Sequence, residues 1–540
     1  MSALIRKLTL ALVLTLCLSL FAGCVQTPGK TTAGTTTGGE TTATTATTTA
    51  EKIKISVALW EIDPEFVNRD DAIYKMLCDK FNIEIEPIAL TWDDYTQKVN
   101  TWVATQDTPD VWNIDVIGTK IFYSWIAEEL IRPLPQDLSA YPSLKKLFSL
   151  ADVASTAVDG TFWCIPHAKA DLSGFAWAPA CGAYYRKDWA AKLGLEEPTT
   201  YDEFVSFVKA MVDGDPDGNN VNDTIGITSY DTGFMQNYLW RAFEPKPYGS
   251  WQVENGKAYR AFNAEHSFDA ANAIRTLYNN GLIDPDIAIQ DTDAGFVKFA
   301  TNKAAVVCFQ MYQNDHYIFD KFAANNPDLK LEDSIGYLKT LPNKYDSKYY
   351  FNDMTSYWSE MYISGDVDDA KYDRILKLAD FCASEEWTDI IRFGLEGVDY
   401  ERNGDEIVFK TEDGSKPNLL KKYTFLNGFQ FFTLWNEGRA FFDYGTNYPY
   451  SAQMINEFYD WTVENAERQP QSFAMVMINT PLKESFVDDS SALLAQFLYG
   501  RSTGDAKSEW DAMMQVLEDA GLSAMEEEMT AAAKEAGAIE

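Results

Sequence analysis

The side chains best placed to do chemistry lie between Asp213 and Asp223, where Asp, Asn and Gly residues alternate. Oxygen-bearing side chains at every second position of a glycine-containing turn can surround one hard cation. Three aspartates within five residues repel one another unless a cation is present, which favours calcium over an acidic surface turn without metal. One ligand register starts at Asp213 and another at Asp215. The first has Thr224 at its twelfth position, where an EF-hand has a bidentate Glu.

A second set of candidate residues could stack on a sugar. Phe, Trp and Tyr make up 14% of the chain, with 15 Trp, more than a small core requires. Pyranose rings present an apolar face to aromatic rings, and their hydroxyl groups need polar partners. Any one aromatic residue is more often part of a core, so the candidates are predicted as a set. The predicted ligand-binding residues, all near strand ends or hinge segments, are Trp60, Asp115, Trp177, Tyr184, Trp240, Tyr312 and Trp358.

Catalytic motifs are not apparent in the sequence. The three histidines, His167, His266 and His316, are far apart, and neither an HExxH nor a GxSxG pattern occurs. A secreted glycoside hydrolase is the main alternative to a binding protein, because a cleft with aromatic and acidic residues describes both classes. A cell-surface adhesion module is the third hypothesis, but such modules usually show repeated β units. We expect a binding protein and no catalytic residues.

The first residues have the composition of a secretory signal peptide. Arg6 and Lys7 precede an uncharged apolar run over residues 8–21, which is too short to cross a bilayer. Phe21-Ala22-Gly23-Cys24 resembles the lipobox of bacterial lipoproteins, although Leu is commoner than Phe at its first position. The resemblance implies a signal peptide over residues 1–23, lipidation of Cys24 and an anchor in the outer face of the cell membrane, as in a Gram-positive bacterium.

Residues 24–51 are predicted to connect the anchor to a folded body. They are mostly Thr, Ala and Gly, which bury too little apolar surface to fold and indicate a flexible tether. The formal net charge of −36 makes nucleic acid and anionic lipid poor partners. The body that follows is too long for one hydrophobic core, which predicts at least two lobes.

Strands and helices alternate from residue 53 onward. Periodicity predicts strands over 53–60 and 83–88, a turn into a third strand over 108–114, and helices over 71–81 and 94–104. A second α/β pattern has strands over 182–186 and 304–309 and helices over 187–193, 200–212 and 268–280. From residue 419 the pattern is mainly helical. Ligands of such sheets bind at the carboxyl ends of the strands, which predicts a cleft beside Trp60 and residues Trp112 to Asp115.

Several segments resemble the family 1 extracellular solute-binding proteins of bacterial ABC importers, in particular the long lipoprotein branch associated with oligosaccharide uptake. They occur in the family's order and cover most of the chain from residue 52 to about residue 400. They include Thr108-Pro109-Asp110-Val111, Tyr185-Arg186-Lys187-Asp188-Trp189, Gly281-Leu282-Ile283-Asp284 and Phe393-Gly394-Leu395-Glu396-Gly397.

The resemblance implies an α/β, two-lobed, hinged fold of the periplasmic-binding-protein type 2, with a mainly helical C-terminal part. Lobe 1 is expected over 52–175 and 351–405, and lobe 2 over 176–350, with the C-terminal helices completing it over 406–540. The implied partners are an oligosaccharide in the cleft and the permease subunits of an ABC importer, with the protein itself a monomer.

The same resemblance selects between the two registers of the acidic loop. It favours a structural calcium ion in the loop 213–224, held by Asp215, Asp217, Asn219, the carbonyl of Val221 and Asp223. Members of the family commonly have Glu at the tenth position of this register, where Thr224 stands here.

Overall fold

The structure, a computed structural model, describes residues 51–539 apart from 65–67, 170–181, 312–314, 353–356, 405, 413, 415, 436–447, 470–473 and 503. The predicted signal peptide, Cys24 and most of the tether lie outside the described residues, as do Trp177 and Tyr312.

A six-stranded sheet forms the centre of the first lobe, with strand order β15-β4-β12-β3-β1-β2. β1 is parallel to β2 and β3, and β12 runs antiparallel between β3 and β4. The sequence patterns of β1, β2 and β3 predicted these strands. The strands are β1 (Ile53–Trp60), β2 (Ile83–Leu90), β3 (Val111–Ile114), β4 (Ile165–Lys169), β12 (Tyr357–Ile363) and β15 (Leu434–Trp435).

The second lobe is built on a four-stranded sheet of order β10-β5-β9-β6. β6 and β9 are parallel, whereas β5 is antiparallel to both β9 and β10. The chain enters this lobe between β4 and β5 and returns to the first sheet at β12, so two connections join the lobes within this stretch. The strands are β5 (Gly182–Arg186), β6 (Ile225–Ser229), β9 (Ala304–Phe309) and β10 (Ile335–Leu338).

Helices cover both sheets and are fixed by caps that the sequence contains. The Asp71 carboxylate accepts the Ile73 amide at 2.8 Å, and the Thr200 hydroxyl accepts the Glu203 amide at 3.2 Å. Glu203 in turn accepts the Thr199 amide at 2.9 Å, which ties the residue before the N-cap to the first turn of the helix. Helices of the first lobe are α1 (Ala72–Phe81), α2 (Tyr95–Thr105), α3 (Lys120–Ala127), α4 (Pro142–Leu147), α5 (Ala151–Ala154), α13 (Asp369–Cys382), α14 (Glu385–Phe393), α15 (Leu419–Lys422) and α16 (Leu426–Phe429).

The second lobe carries more helices, including those at the C-terminal end of the chain. They are α6 (Lys187–Leu193), α7 (Tyr201–Asp213), α8 (Thr232–Trp240), α9 (Ser267–Asn279), α10 (Ala294–Ala300), α11 (Asp320–Asn325), α12 (Leu331–Ser334), α17 (Pro449–Asn465), α18 (Ala474–Met477), α19 (Pro481–Ser485), α20 (Ser490–Tyr499), α21 (Ala506–Asp519) and α22 (Leu522–Glu535).

Three small two-stranded sheets lie outside the two main ones. They are β7 (Trp251–Glu254) with β8 (Lys257–Arg260), β11 (Tyr349–Asn352) with β16 (Ala466–Gln469), and β13 (Tyr400–Asn403) with β14 (Glu406–Phe409). Among the residues described, no helix is both long and apolar enough to cross a membrane.

The first lobe continues past residue 405, the boundary expected from the sequence. Phe425, Phe429 and Phe432 stack in succession, with ring centroids 4.4 and 4.7 Å apart, within the core of the first sheet. β15 then pairs with β4. Burial of these three rings stabilises the segment on the first lobe. In the sequence, the spacing of three to four residues between the phenylalanines indicated only a helix.

Candidate ligand-binding site

Tryptophan rings at the carboxyl end of β1 form the wall of the site on the first lobe. Trp60 ends β1 and stacks on Trp92, with centroids 5.0 Å apart and planes at 7°, and it also packs on Trp358 at 5.3 Å. Trp60 is 0% exposed, whereas Trp92 and Trp358 keep part of their surface open. Trp60 therefore supports the other two rings from behind, and these are the surfaces available to a ligand.

Glu61 connects this wall to the second lobe. Its Oε1 accepts the indole N–H of Trp92 at 2.5 Å and the Tyr317 hydroxyl at 3.5 Å. Glu61 has a φ of +62°, a left-handed conformation that a non-glycine residue adopts at a cost. Tyr317 belongs to the aromatic core of the second lobe, so this contact spans the two lobes.

The facing wall, on the second lobe, consists of tyrosines supported by phenylalanines. Tyr230 follows the carboxyl end of β6 and packs on Phe309 at 5.2 Å and on Phe296 at 5.6 Å. Tyr317 lies 6.4 Å from Tyr230 and 5.3 Å from Phe309. Burial raises the pKa of the Tyr230 phenol, and the charge of Glu61 from the opposite lobe adds to that rise. The two walls therefore face each other closely.

Two carboxylates lie at strand ends on opposite lobes. Asp115 follows β3 and accepts the Tyr95 hydroxyl at 3.2 Å, while Asp231 follows β6 and accepts the Phe234 amide at 3.0 Å at the start of α8. Both side chains are exposed to solvent, yet surrounding protein raises the pKa of each. The Asp115 and Asp231 side chains are open to solvent but closely surrounded by protein, so each carboxylate lies in a recess rather than on a convex surface.

Behind Asp115, a buried glutamate fixes the loop that carries it. Glu360 Oε2 accepts the amides of Val116 at 3.1 Å and Ile117 at 3.3 Å, and the Tyr362 hydroxyl at 3.1 Å. These donors favour the charged form, but burial outweighs them and raises the pKa of Glu360 to about 8. This residue positions the site from beneath.

His167 is buried below the same wall. Its Nδ1 lies 2.8 Å from the Ser359 hydroxyl, and its ring is 6.1 Å from that of Trp60. Burial lowers the pKa of His167 to about 3, which keeps the imidazole neutral at physiological pH. The side chain is fully enclosed and is not open to a ligand.

Two of the predicted ligand-binding residues are enclosed in the core of the second lobe. Tyr184, in the middle of β5, is fully buried and donates its hydroxyl to the Gln310 carbonyl at 3.0 Å. Trp240 is 3% exposed and donates its indole N–H to the Lys246 carbonyl at 3.0 Å. Both were expected at the cleft, but each is buried and donates to a backbone carbonyl of its own lobe, so neither side chain is open to a ligand. Trp60 and Trp358 belong to the tryptophan wall and Asp115 lies at the end of β3, and their contact with a ligand stays a prediction.

Sequence reasoning missed four residues of this site: Glu61, Trp92, Tyr230 and Tyr317. Three of them follow the carboxyl end of a parallel strand, which is where the ligands of such sheets bind. Applying that rule to β2 and β6, as it was applied to β1 and β3, would have found Trp92 and Tyr230. Tyr317 has no comparable signal, because its position depends on a π-helical turn, Asp315–Phe319, after β9.

The acidic loop that follows α7 gathers its side chains on one turn. Asp215 accepts the backbone amides of Asn219 and Asn220, each at 3.1 Å. The side-chain Nδ2 of Asn219 donates to Asp217 at 2.8 Å and to Asp223 at 3.0 Å. Burial, and then the proximity of Asp215 and Asp223, raise the pKa of Asp217. Gly218 has a φ of +76°, which the tight turn requires.

The fit of this loop to a metal ion is incomplete as it stands. Within the described part of the chain, no three His, Cys, Asp or Glu side chains are arranged to hold a metal. The donor set is nevertheless all oxygen, and the –NH₂ of Asn219 occupies the space between two carboxylates where a cation would lie. A calcium ion fits if the Asn219 amide turns its oxygen inward.

Comparison with known proteins places the chain in a family. Residues 64–389, more than half of its length, match the family model described as bacterial extracellular solute-binding protein. The chain is 24% identical over 378 residues to the polygalacturonan/rhamnogalacturonan-binding protein YtcQ of Bacillus subtilis, covering 68% of this chain and 70% of YtcQ. It is 34% identical over 128 residues to Lipoprotein LipO of the same organism, covering 23% of this chain and only 25% of LipO.

A solved structure shows the same fold. The Streptococcus pneumoniae ABC-transporter substrate-binding protein FusA, an EF-hand mutant in complex with fructo-nystose, superposes with a TM-score of 0.68 at 20% identity. The match covers 90% of this chain and 100% of FusA. The two lobes therefore have the architecture of solute-binding proteins, as the sequence predicted. The chain belongs to the bacterial extracellular solute-binding protein family.

Proposed function

We propose that this solute-binding protein captures an oligosaccharide between its lobes and delivers it to the permease of an ABC importer. The observation that carries the proposal is the pair of aromatic walls, Trp92 and Trp358 on one lobe and Tyr230 and Tyr317 on the other. Flat rings on both sides suit a sugar chain, whose rings have apolar faces, and the carboxylates between them accept hydrogen bonds from hydroxyl groups. The carbohydrate-binding names of YtcQ and FusA support the same ligand class.

Delivery depends on closure of the lobes. A ligand held by both walls favours the closed conformation by its differential affinity for it, and an importer can recognise that conformation. The two connections near β4–β5 and β11–β12 would act as hinges. Tyr317 meets Glu61 across the cleft at 3.5 Å, a long hydrogen bond, and a ligand held by both walls would add to the contacts between them.

Binding without turnover is part of the proposal. Hydrolysis of a glycosidic bond needs one carboxyl group as a proton donor and a second as nucleophile or base, placed roughly 5–10 Å apart across the bond. Asp115 and Asp231 lie on separate lobes and are occupied by Tyr95 and by the first turn of α8. We expect the sugar to be released unchanged.

Two further features complete the proposed role. Calcium in the loop 213–224 would hold that loop together through Asp215, Asp217, Asn219, the Val221 carbonyl and Asp223, in keeping with the EF-hand named for FusA. Lipidation of Cys24, with the tether over residues 24–51, would keep a monomeric protein at the extracellular face of the membrane, beside its permease. The similarity to LipO supports the lipoprotein assignment.

The proposal is tested by a thermal-shift screen of the mature domain. Malto-, manno-, xylo-, galacto- and fructo-oligosaccharides are added separately, and the same mixtures are then separated by thin-layer chromatography. We expect at least one of them to raise Tm and to be recovered intact. Cleavage of the sugar would establish the hydrolase instead, and the lack of any shift would remove the carbohydrate proposal.

A further inference from the structure

We propose that this cleft selects uncharged oligosaccharides and disfavours those that carry carboxylates, and that Glu61, Asp115 and Asp231 set the preference. The inference rests on the proposed function and narrows its ligand class. It follows from the positions of these three carboxylates on the aromatic walls and from the lack of an ion pair to any of them among the described side chains.

The three carboxylates border the cleft from both lobes. Glu61 bridges Trp92 and Tyr317, Asp115 is held by Tyr95 next to the tryptophan wall, and Asp231 directly follows Tyr230 on the opposite wall. A sugar stacked between the rings therefore has negative charge on both sides. Its hydroxyl groups can donate to these carboxylates in charge-assisted hydrogen bonds.

None of the lysine and arginine side chains that the structure describes forms an ion pair with Glu61, Asp115 or Asp231. Other recessed carboxylates are paired: Asp110 with Lys371 at 2.9 Å, and Asp284 with Lys298 at 2.8 Å. The pKa of Asp115 and that of Asp231 are raised by burial, as expected of acids without a compensating cation.

A uronate group needs a positive partner, most effectively the two-pronged guanidinium of an arginine. Among the described side chains, no lysine or arginine is among the groups that perturb the pKa of Asp115 or Asp231.

Repulsion between a cleft carboxylate and a carboxylate on the sugar is strong enough to separate charged from neutral ligands. Two unit charges about 8 Å apart, at an effective dielectric constant of about 20, repel strongly enough to weaken binding more than tenfold. The cleft walls exclude part of the water, so salt screens the interaction less than on an open surface. A single carboxylate on the sugar should therefore cost about tenfold or more in affinity.

The test compares two ligands that differ at one group, which is neutral in one and negatively charged in the other. The neutral oligosaccharide that binds best in the thermal-shift screen is oxidised at its terminal C6 from –CH₂OH to a carboxylate, and both forms are titrated calorimetrically. We expect Kd of the oxidised form to be at least about tenfold higher, with a smaller ratio at high salt. Oligogalacturonate is expected to bind no better than the oxidised form.

Variants assign the effect to particular residues. Asp115→Asn and Asp231→Asn should each lower the ratio of the two Kd values about threefold or more, because each removes one repelling charge and keeps the side-chain shape. Glu527→Gln, at an exposed position on α22, removes one charge elsewhere and should leave the ratio unchanged.

Each alternative outcome has a distinct meaning. If the oxidised sugar or oligogalacturonate binds as tightly as the neutral sugar, the charge preference is wrong while the proposed function stands. If Asp115→Asn and Asp231→Asn behave like Glu527→Gln, Asp115 and Asp231 do not determine the charge preference. If no saccharide of either kind binds, the proposed function itself is wrong.

Discussion

Single residues at the site carry two kinds of chemistry, recognition by ring faces and control of charge by burial. Glu360 is the clearest case of the second, because burial raises its pKa to about 8 from the 4.5 of a free side chain. An acid whose pKa is higher in the folded state binds more protons there, so ionising it destabilises the fold. The free energy of unfolding should therefore fall as pH rises from about 4.5 to about 8.

Glu360→Gln tests this expectation. The variant should lack that part of the pH dependence, and its stability relative to the native protein should rise between pH 5 and pH 8 by roughly 1.4 kcal/mol for each pKa unit traversed. Urea unfolding at several pH values measures the difference. Asp373→Asn, which removes an exposed carboxylate, is the control. Parallel pH profiles for Glu360→Gln and the native protein would show that Glu360 titrates normally.

Residues of the acidic loop give a second prediction at this scale. After chelation, added calcium should raise Tm of the native protein by several degrees and leave an Asp215→Ala, Asp217→Ala double variant unchanged. Asp213→Ala is the informative control, because Asp213 is paired with Lys209 at 2.6 Å and lies outside the preferred register. A response that Asp213→Ala abolishes would favour the register starting at Asp213, and the absence of any response in the native protein would exclude calcium.

Some residues of the site could be predicted and others could not. Trp60 and Asp115 could be predicted as candidates because a ligand site is expected at the carboxyl ends of parallel strands, and the structure places both at such ends. Tyr184 and Trp240 were misplaced because an aromatic residue in an apolar segment looks the same in sequence whether it faces a core or a cleft. Glu61 and Tyr317 meet across 256 positions of the chain, a pairing that no local pattern encodes.

At the scale of elements, periodicity predicted the strands well because each is buried between helices and reads as an apolar run. β1 and β9 have the predicted ends. The segment of α15, α16 and β15 was less predictable. It packs on the first lobe through the row of Phe425, Phe429 and Phe432. Its docking depends on Gly428, where a Cβ atom would lie 2.5 Å from Ile62 Cβ and 2.8 Å from the Ile62 backbone.

Gly428→Ala should therefore destabilise the fold. The clash involves backbone atoms next to the end of β1, so the helix must shift, at a cost of about 1–3 kcal/mol. Urea unfolding measures the loss. Asn427→Ala, a neighbouring and less buried position on the same helix, should have a much smaller effect. Equal stability of the two variants would mean that α16 does not pack closely on β1.

For the whole molecule, the two aromatic walls account for a ligand held jointly by both lobes. Neither wall alone encloses a sugar, since Trp92 and Trp358 come from the first lobe and Tyr230 and Tyr317 from the second. Ligand binding should therefore draw the lobes together, and the radius of gyration from small-angle X-ray scattering should decrease when the sugar is added. An unchanged radius with saturating sugar would indicate that the lobes are closed beforehand.

The most direct test of joint binding is calorimetric titration of one neutral oligosaccharide into the native protein, Trp92→Ala, Tyr230→Ala and the control Trp251→Ala. Trp251 lies in β7 of the second lobe, outside both walls. The account predicts that Trp92→Ala and Tyr230→Ala each weaken binding about tenfold, consistent with an aromatic contact of roughly 0.5–1.5 kcal/mol plus lost buried area, and that the control binds normally. Binding that is insensitive to the loss of either wall would contradict it.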